Sequence, residues 1–208
     1  PPFALVAYSC AAMIAFRYAV EHPGHLSHLI LLSGQYAESV PQPFDEKVAP
    51  AIPGDFAAYR QRLFARMWPE PHSLKGIEDG IAWGQETTAD VLVEVLRQIR
   101  KDNVRDLLGK ITVPTLVLHG TRDRIVPYKV GAEIVESIPD TRFVTFEGGG
   151  HGLPGREAVK VNHLIRDFVL TRPVVSQTVP PTTERPTAKP AARSSRRKIL
   201  FLSSPIGL

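Results

Sequence analysis

The chain has 208 residues, 43% of them hydrophobic, with 25 Lys or Arg against 21 Asp or Glu and a formal net charge of +4. That length and apolar share exclude a disordered or fibrous chain and suit one domain built on one core. The positive charge is not a binding surface: between Arg172 and Lys198 seven Lys or Arg face a single acid, Glu184, which leaves the rest slightly acidic, so a solvated tether is expected and no nucleic-acid partner.

The first element is the apolar run Phe3 to Tyr8, a predicted buried strand, followed after Ser9 by Cys10 to Glu21, which has the period of a helix. A serine between strand and helix sits on a sharp turn that lifts its hydroxyl above the sheet and aims the first free N–H groups of the helix at whatever the serine attacks. Leu29 to Leu32 is the next strand, and two apolar strands joined by a helix point to a parallel sheet. Cys10 is the only cysteine, which excludes an internal disulfide and leads to the expectation of a cytoplasmic, reducing location. Its thiol reads as a small core group rather than a nucleophile.

Residues 35 to 108 break the strand rhythm. Pro41, Pro43, Pro50 and Pro53 give way to amphipathic stretches, Phe56 to Trp68 and Val91 to Lys101, the second capped by Thr88 or Asp90 and carrying Val91, Leu92, Val95, Leu96 and Ile99 on one face. This is a predicted all-helical insertion. Trp68 and Trp83 lie in it, assigned to an apolar substrate pocket with core packing as the alternative. The sheet then resumes with Thr115 to Leu118, a helix over Tyr128 to Ser137, Arg142 to Phe146, and a last helix over Arg156 to Leu170 with Val159, Leu164, Ile165, Phe168 and Val169 as its buried stripe.

Residues 171 to 196 are rich in Pro, Thr, Ala and basic side chains, the composition of an extended, disordered linker. Residues 197 to 208 read as a strand turning into a glycine-containing loop and as the start of a following, covalently linked domain. No run of about 18 apolar residues occurs, so no membrane-spanning helix is expected. The chain begins at Pro1, directly before a strand, and is expected to be an internal fragment.

Two further polar residues lie just past the ends of strands. Asp123 follows Pro114-Thr-Leu-Val-Leu-His-Gly120, and His151 stands in Gly148-Gly-Gly-His-Gly152 after Arg142-Phe-Val-Thr-Phe146. A serine hydroxyl is a weak nucleophile that needs a base in reach and a carboxylate behind the base. Ser9, His151 and Asp123 are of the right types for those roles.

With these segments in this order, residues 3 to 170 resemble the α/β-hydrolase family, whose triad runs Ser, acid, His. The resemblance implies a partial α/β fold with a mostly parallel sheet, helices on both faces and residues 35 to 108 as a cap. It implies Ser9, Asp123 and His151 as catalytic, the Cys10 N–H as an oxyanion donor, a small acylated substrate such as a carboxylic ester, and no metal or organic cofactor. The chain departs from the family at the elbow, which reads Ala7-Tyr8-Ser9-Cys10-Ala11 where the family has Gly-x-Ser-x-Gly. The alternative is therefore a non-catalytic binding or scaffold domain of the same fold. The family sheet has further strands before the nucleophile strand and a loop supplying a second oxyanion N–H. Four of about eight strands are expected here, with Phe3 to Tyr8 as an uncovered edge. Arg197 to Leu208 resembles the opening strand of a two-lobed glycosyltransferase.

Overall fold

The computed structural model describes residues 1–37, 51–171 and 198–202. Its strands are β1 (Phe3–Tyr8), β2 (Leu26–Leu32), β3 (Thr115–Gly120), β4 (Thr141–Phe146) and β5 (Ile199–Leu202). The α-helices are α1 (Ala11–Glu21), α2 (Ala51–Gly54), α3 (Phe56–Met67), α4 (Leu74–Trp83), α5 (Ala89–Lys101), α6 (Arg105–Leu108), α7 (Tyr128–Ser137), α8 (Leu153–Arg156) and α9 (Ala158–Thr171). The strands form one sheet in the order β4-β3-β2-β1-β5, and every pairing is parallel.

Alternation along the strands divides the core in two, because successive side chains of a strand point to opposite faces. Leu5, Ala7, Leu29, Leu31 and Val117 meet Ala12 and Phe16 of α1 and Val130 and Ile134 of α7. Ala4, Val6, Tyr8, Ile30, Leu32, Leu116 and Leu118 meet Phe64, Met67 and Trp68 at the end of α3 and Val161, Ile165 and Phe168 of α9. Both faces of β1, β2 and β3 are thus covered, as the interior of an all-parallel sheet requires, while the edge strands β4 and β5 are more open. A third, smaller cluster joins Ile52, Leu92 and Val93 with Phe56 and Tyr59, so the helical insertion has a patch of core of its own.

The helix starts follow local chemistry. Asp55 caps α3 by accepting from the Ala58 N–H at 3.1 Å, and Thr88 caps α5 by accepting from the Val91 N–H at 3.4 Å. Within α5 the buried residues are Leu92 and Val93, whereas Val91 is exposed. The predicted last helix is α9, which begins at Ala158 because Glu157, at φ −113° and ψ 30°, separates it from the short α8. Val159 accordingly lies outside the buried stripe, 73% exposed, and Val161 replaces it. Position 159 is two residues from 161, about 200° around a helix, and so faces away.

One expectation about the ends of the sheet is corrected. β1 is not an edge, because β5 pairs with it along Ala4 to Ala7. Ile199–Leu202, expected to begin a following domain, thus extends this sheet. The physical cause is the free row of backbone donors and acceptors on β1, which a short strand of β-branched and apolar residues satisfies. The linker assignment falls on residues outside the described ones, apart from Thr171 at the end of α9.

Candidate active site

In a parallel sheet the loops at the carboxyl ends of the strands share one edge, and that is where these folds place their chemistry. Ser9 ends β1, Asp123 follows β3, and His151 follows β4. Residues separated by 142 and 28 positions in sequence meet there.

Ser9 has a φ of 56°. A non-glycine residue in the left-handed region is strained, and at a strand-to-helix turn this is the conformation that lifts the hydroxyl clear of both elements. The turn is pinned on both sides: the Ser9 N–H donates to Leu32 O at 2.9 Å, and Ser9 O accepts from the Ala12 N–H at 3.1 Å. Ala7, Ala11 and Ala12 are all buried around it, so the elbow accommodates methyl groups where the family has hydrogens. Cys10 follows with helical angles, φ −65° and ψ −21°, at the amino end of α1. Its backbone nitrogen is the first after Ser9 at that helix end, and its thiol is half-buried.

His151 Nε2 lies 3.0 Å from Ser9 Oγ, and its Nδ1 lies 2.8 Å from Asp123 Oδ2. Because Asp123 accepts, Nδ1 carries the hydrogen and Nε2 is left to receive the serine proton. Asp123 Oδ1 accepts from the N–H groups of Ile125 and Val126, both at 2.8 Å. Burial pushes the Asp123 carboxyl up, but the charge of His151 and hydrogen bonds from His119 and His151 outweigh it, so the acid is held well below the usual carboxylate range.

The histidine loop is clamped from the insertion. The Gly152 N–H donates to Met67 O at 2.9 Å, and the Gly150 N–H donates to Glu70. Trp68 packs so close that a Cβ on Gly152 would meet its Nε1 at 2.3 Å, which only glycine permits. Tyr8 holds the same loop from below: its hydroxyl donates to His151 O at 3.0 Å. Burial first, then the Asp123 charge and Cys10, push the Tyr8 hydroxyl well above its ordinary range, so it stays protonated as a donor.

The two tryptophans separate. Trp68 is buried, 4% exposed, in the core behind the histidine loop rather than in an open pocket, because it fills the gap between α3 and the glycines. Trp83, at the end of α4, keeps 46% of its surface exposed. Tyr8 and Glu70 are site residues that the sequence does not single out. Tyr8 reads as one more apolar strand residue, though its place beside Ser9 on the opposite face was a usable signal; Glu70, 80 positions from Gly150, carried none. Among the described residues no group of His, Cys, Asp and Glu could hold a metal ion, and no helix is long and apolar enough to cross a membrane.

Comparison with known proteins agrees with this architecture. The chain is 27% identical over 198 residues to an AB hydrolase superfamily protein, YisY, of Bacillus subtilis, a match covering 79% of this chain and 65% of that protein. It is 25% identical over 178 residues to a pimeloyl-[acyl-carrier protein] methyl ester esterase of Neisseria meningitidis, covering 81% and 70%. Among solved structures, an esterase from Exiguobacterium antarcticum superposes with a TM-score of 0.71 at 22% identity over 80% of this chain and 66% of that one. The chain thus spans just under two thirds of the length of YisY and of that esterase. The sequence model of the α/β hydrolase fold matches residues 1–154, and with the parallel sheet and the Ser9, Asp123 and His151 loops along one edge, the chain belongs to the α/β-hydrolase family.

Proposed function

We propose that the protein is a serine hydrolase acting on carboxylic esters through Ser9, His151 and Asp123. The observation that carries this reading is the unbroken line of contacts from Asp123 through His151 to Ser9, with Ser9 in a left-handed conformation. Ser9 Oγ attacks the ester carbonyl as its proton passes to His151 Nε2. Asp123 stabilises the imidazolium through Nδ1–H, and the Cys10 N–H donates to the tetrahedral oxyanion. Collapse expels the alcohol, which takes the proton from His151. Water then attacks the acyl-serine with His151 again as base, releasing the acid and restoring Ser9.

Esters are favoured over other acyl compounds because the similar proteins include a methyl ester esterase and esterases of solved structure. Trp83 is proposed as an apolar contact for the substrate, since its indole retains open surface. The reading covers the hydrolase unit alone. The glycosyltransferase resemblance rests on Arg197 to Leu208, and four of those residues, Ile199–Leu202, serve the hydrolase sheet.

Treatment with a fluorophosphonate followed by peptide mapping tests the proposal. Label on Ser9 that disappears in His151→Ala is the expected result. A folded protein that takes no label would transfer the assignment to the non-catalytic domain suggested by Ala7 and Ala11.

A further inference from the structure

Two imidazoles share Asp123, and the mechanism above uses one of them. His119, next to the end of β3, directs its Nε2 at Val126 O, 2.9 Å away, and at Asp123 Oδ2, 3.4 Å away. Both neighbours are acceptors, so Nε2 carries the ring hydrogen. Nδ1 is buried and has no hydrogen-bond partner among the described residues. Helix α7 closes that side: a Cβ on Gly131 would lie 2.5 Å from Nδ1, and Tyr128 stands edge-on to the ring at 6.0 Å. Packing alone does not call for an imidazole in such a cage, because an apolar ring would fill it without burying an unpartnered nitrogen.

The contacts to the two oxygens of Asp123 are not equivalent. The Ile125 and Val126 amides hold Oδ1, which leaves the carboxylate free to tilt about that oxygen. Among the described residues Oδ2, the oxygen that receives the His151 Nδ1–H, has only His151 and, at 3.4 Å, His119 beside it. His151 rides on a glycine-rich loop, whereas His119 is carried by a strand paired on both sides.

We infer that His119 is a positioning residue: it holds Oδ2 of Asp123 from the sheet side, so that the carboxylate keeps the orientation that aims His151 Nε2 at Ser9. This inference rests on the hydrolase reading. The His119 hydrogen bond is also among the influences that keep Asp123 ionised.

The test compares His119→Phe, which keeps the ring volume and removes the donor, with His119→Gln, which returns an N–H near the same place, both in the full chain. Three quantities are read: kcat and KM on a p-nitrophenyl ester, the melting temperature, and the low-field proton NMR signal of the His151 Nδ1–H, assigned by its loss in Asp123→Ala. His119→Phe should lower kcat about ten-fold or more with KM within about two-fold, the mark of lost orientation rather than lost binding. It should also shift or broaden the low-field signal, and His119→Gln should restore both. Should His119→Phe fail to fold, His119→Asn, too short to reach Oδ2, takes its place. A donor-free variant with wild-type kcat and an unmoved signal overturns the inference, as does a His119→Gln protein as impaired as His119→Phe at equal melting temperature. Absence of ester turnover in the wild type would instead count against the hydrolase reading, and the NMR signal would still decide whether His119 orients the pair.

Discussion

The carboxyl edge of the sheet and the helical insertion beside it use similar residues, yet they are held in different ways. Every residue of β2 and β3 is buried; Ser9 and Asp123 follow the buried strands β1 and β3, and His151 follows the edge strand β4, which is mostly half-buried or exposed. In α4 the only buried residue is Gly80, and among the described side chains of α5 only Leu92 and Val93 are buried. The two regions meet where Met67, Trp68 and Glu70 reach the histidine loop. Enclosed strands fix the Ser9 and Asp123 loops, whereas the His151 loop is held by Tyr8, Met67 and Glu70, and proton transfer requires such fixed positions. The helices of the insertion, with few buried side chains, are held less tightly.

Substitutions on each side should separate these roles. Ser9→Ala should have the largest effect: ester turnover falls by about a million-fold, while the melting temperature stays within a few degrees because a turn hydroxyl contributes little to the core. Steady-state kinetics and calorimetry on the same sample check both halves, and retained turnover would remove Ser9 as nucleophile. Asp123→Asn should cost about ten-thousand-fold in kcat by favouring the wrong tautomer of His151.

The same substitution sharpens the comparison through pH. The carboxyl of Asp123 is lower in the folded than in the unfolded chain. Its ionisation therefore adds stability that is complete above about pH 4, the unfolded carboxylate value, and is lost as pH falls through the lower folded value. Urea titrations of Asp123→Asn below pH 4 should show a shallower loss of stability than the wild type; parallel curves would contradict the electrostatic account.

Trp68→Ala breaks the boundary between the regions. Removing a buried indole should destabilise the fold by about 3–5 kcal/mol and should also lower kcat, since the histidine loop loses its backing at Gly152. If stability falls with kcat intact, the insertion does not support the site. Trp83→Ala should have the smallest effect, within about 0.5 kcal/mol in stability, with KM for long-chain esters raised and kcat unchanged. A lowered kcat would place Trp83 nearer the chemistry than its position at the end of α4 suggests.

The strand-Ser9-helix turn, the strands before Asp123 and His151, and the Thr88 cap are all legible in the sequence. Each rests on period, capping or turn chemistry that spans only a few residues. The order Ser9, Asp123, His151 is legible for the same reason. Tertiary structure decided what depends on distant partners: that β5 covers the free side of β1, that Trp68 turns inward against Gly152 while Trp83 does not, that Tyr8 and Glu70 grip the histidine loop, and that His119 shares the carboxylate of Asp123. Local pattern encodes which face of an element is apolar, but not which of several apolar or polar groups, far away in the chain, will occupy the space opposite it.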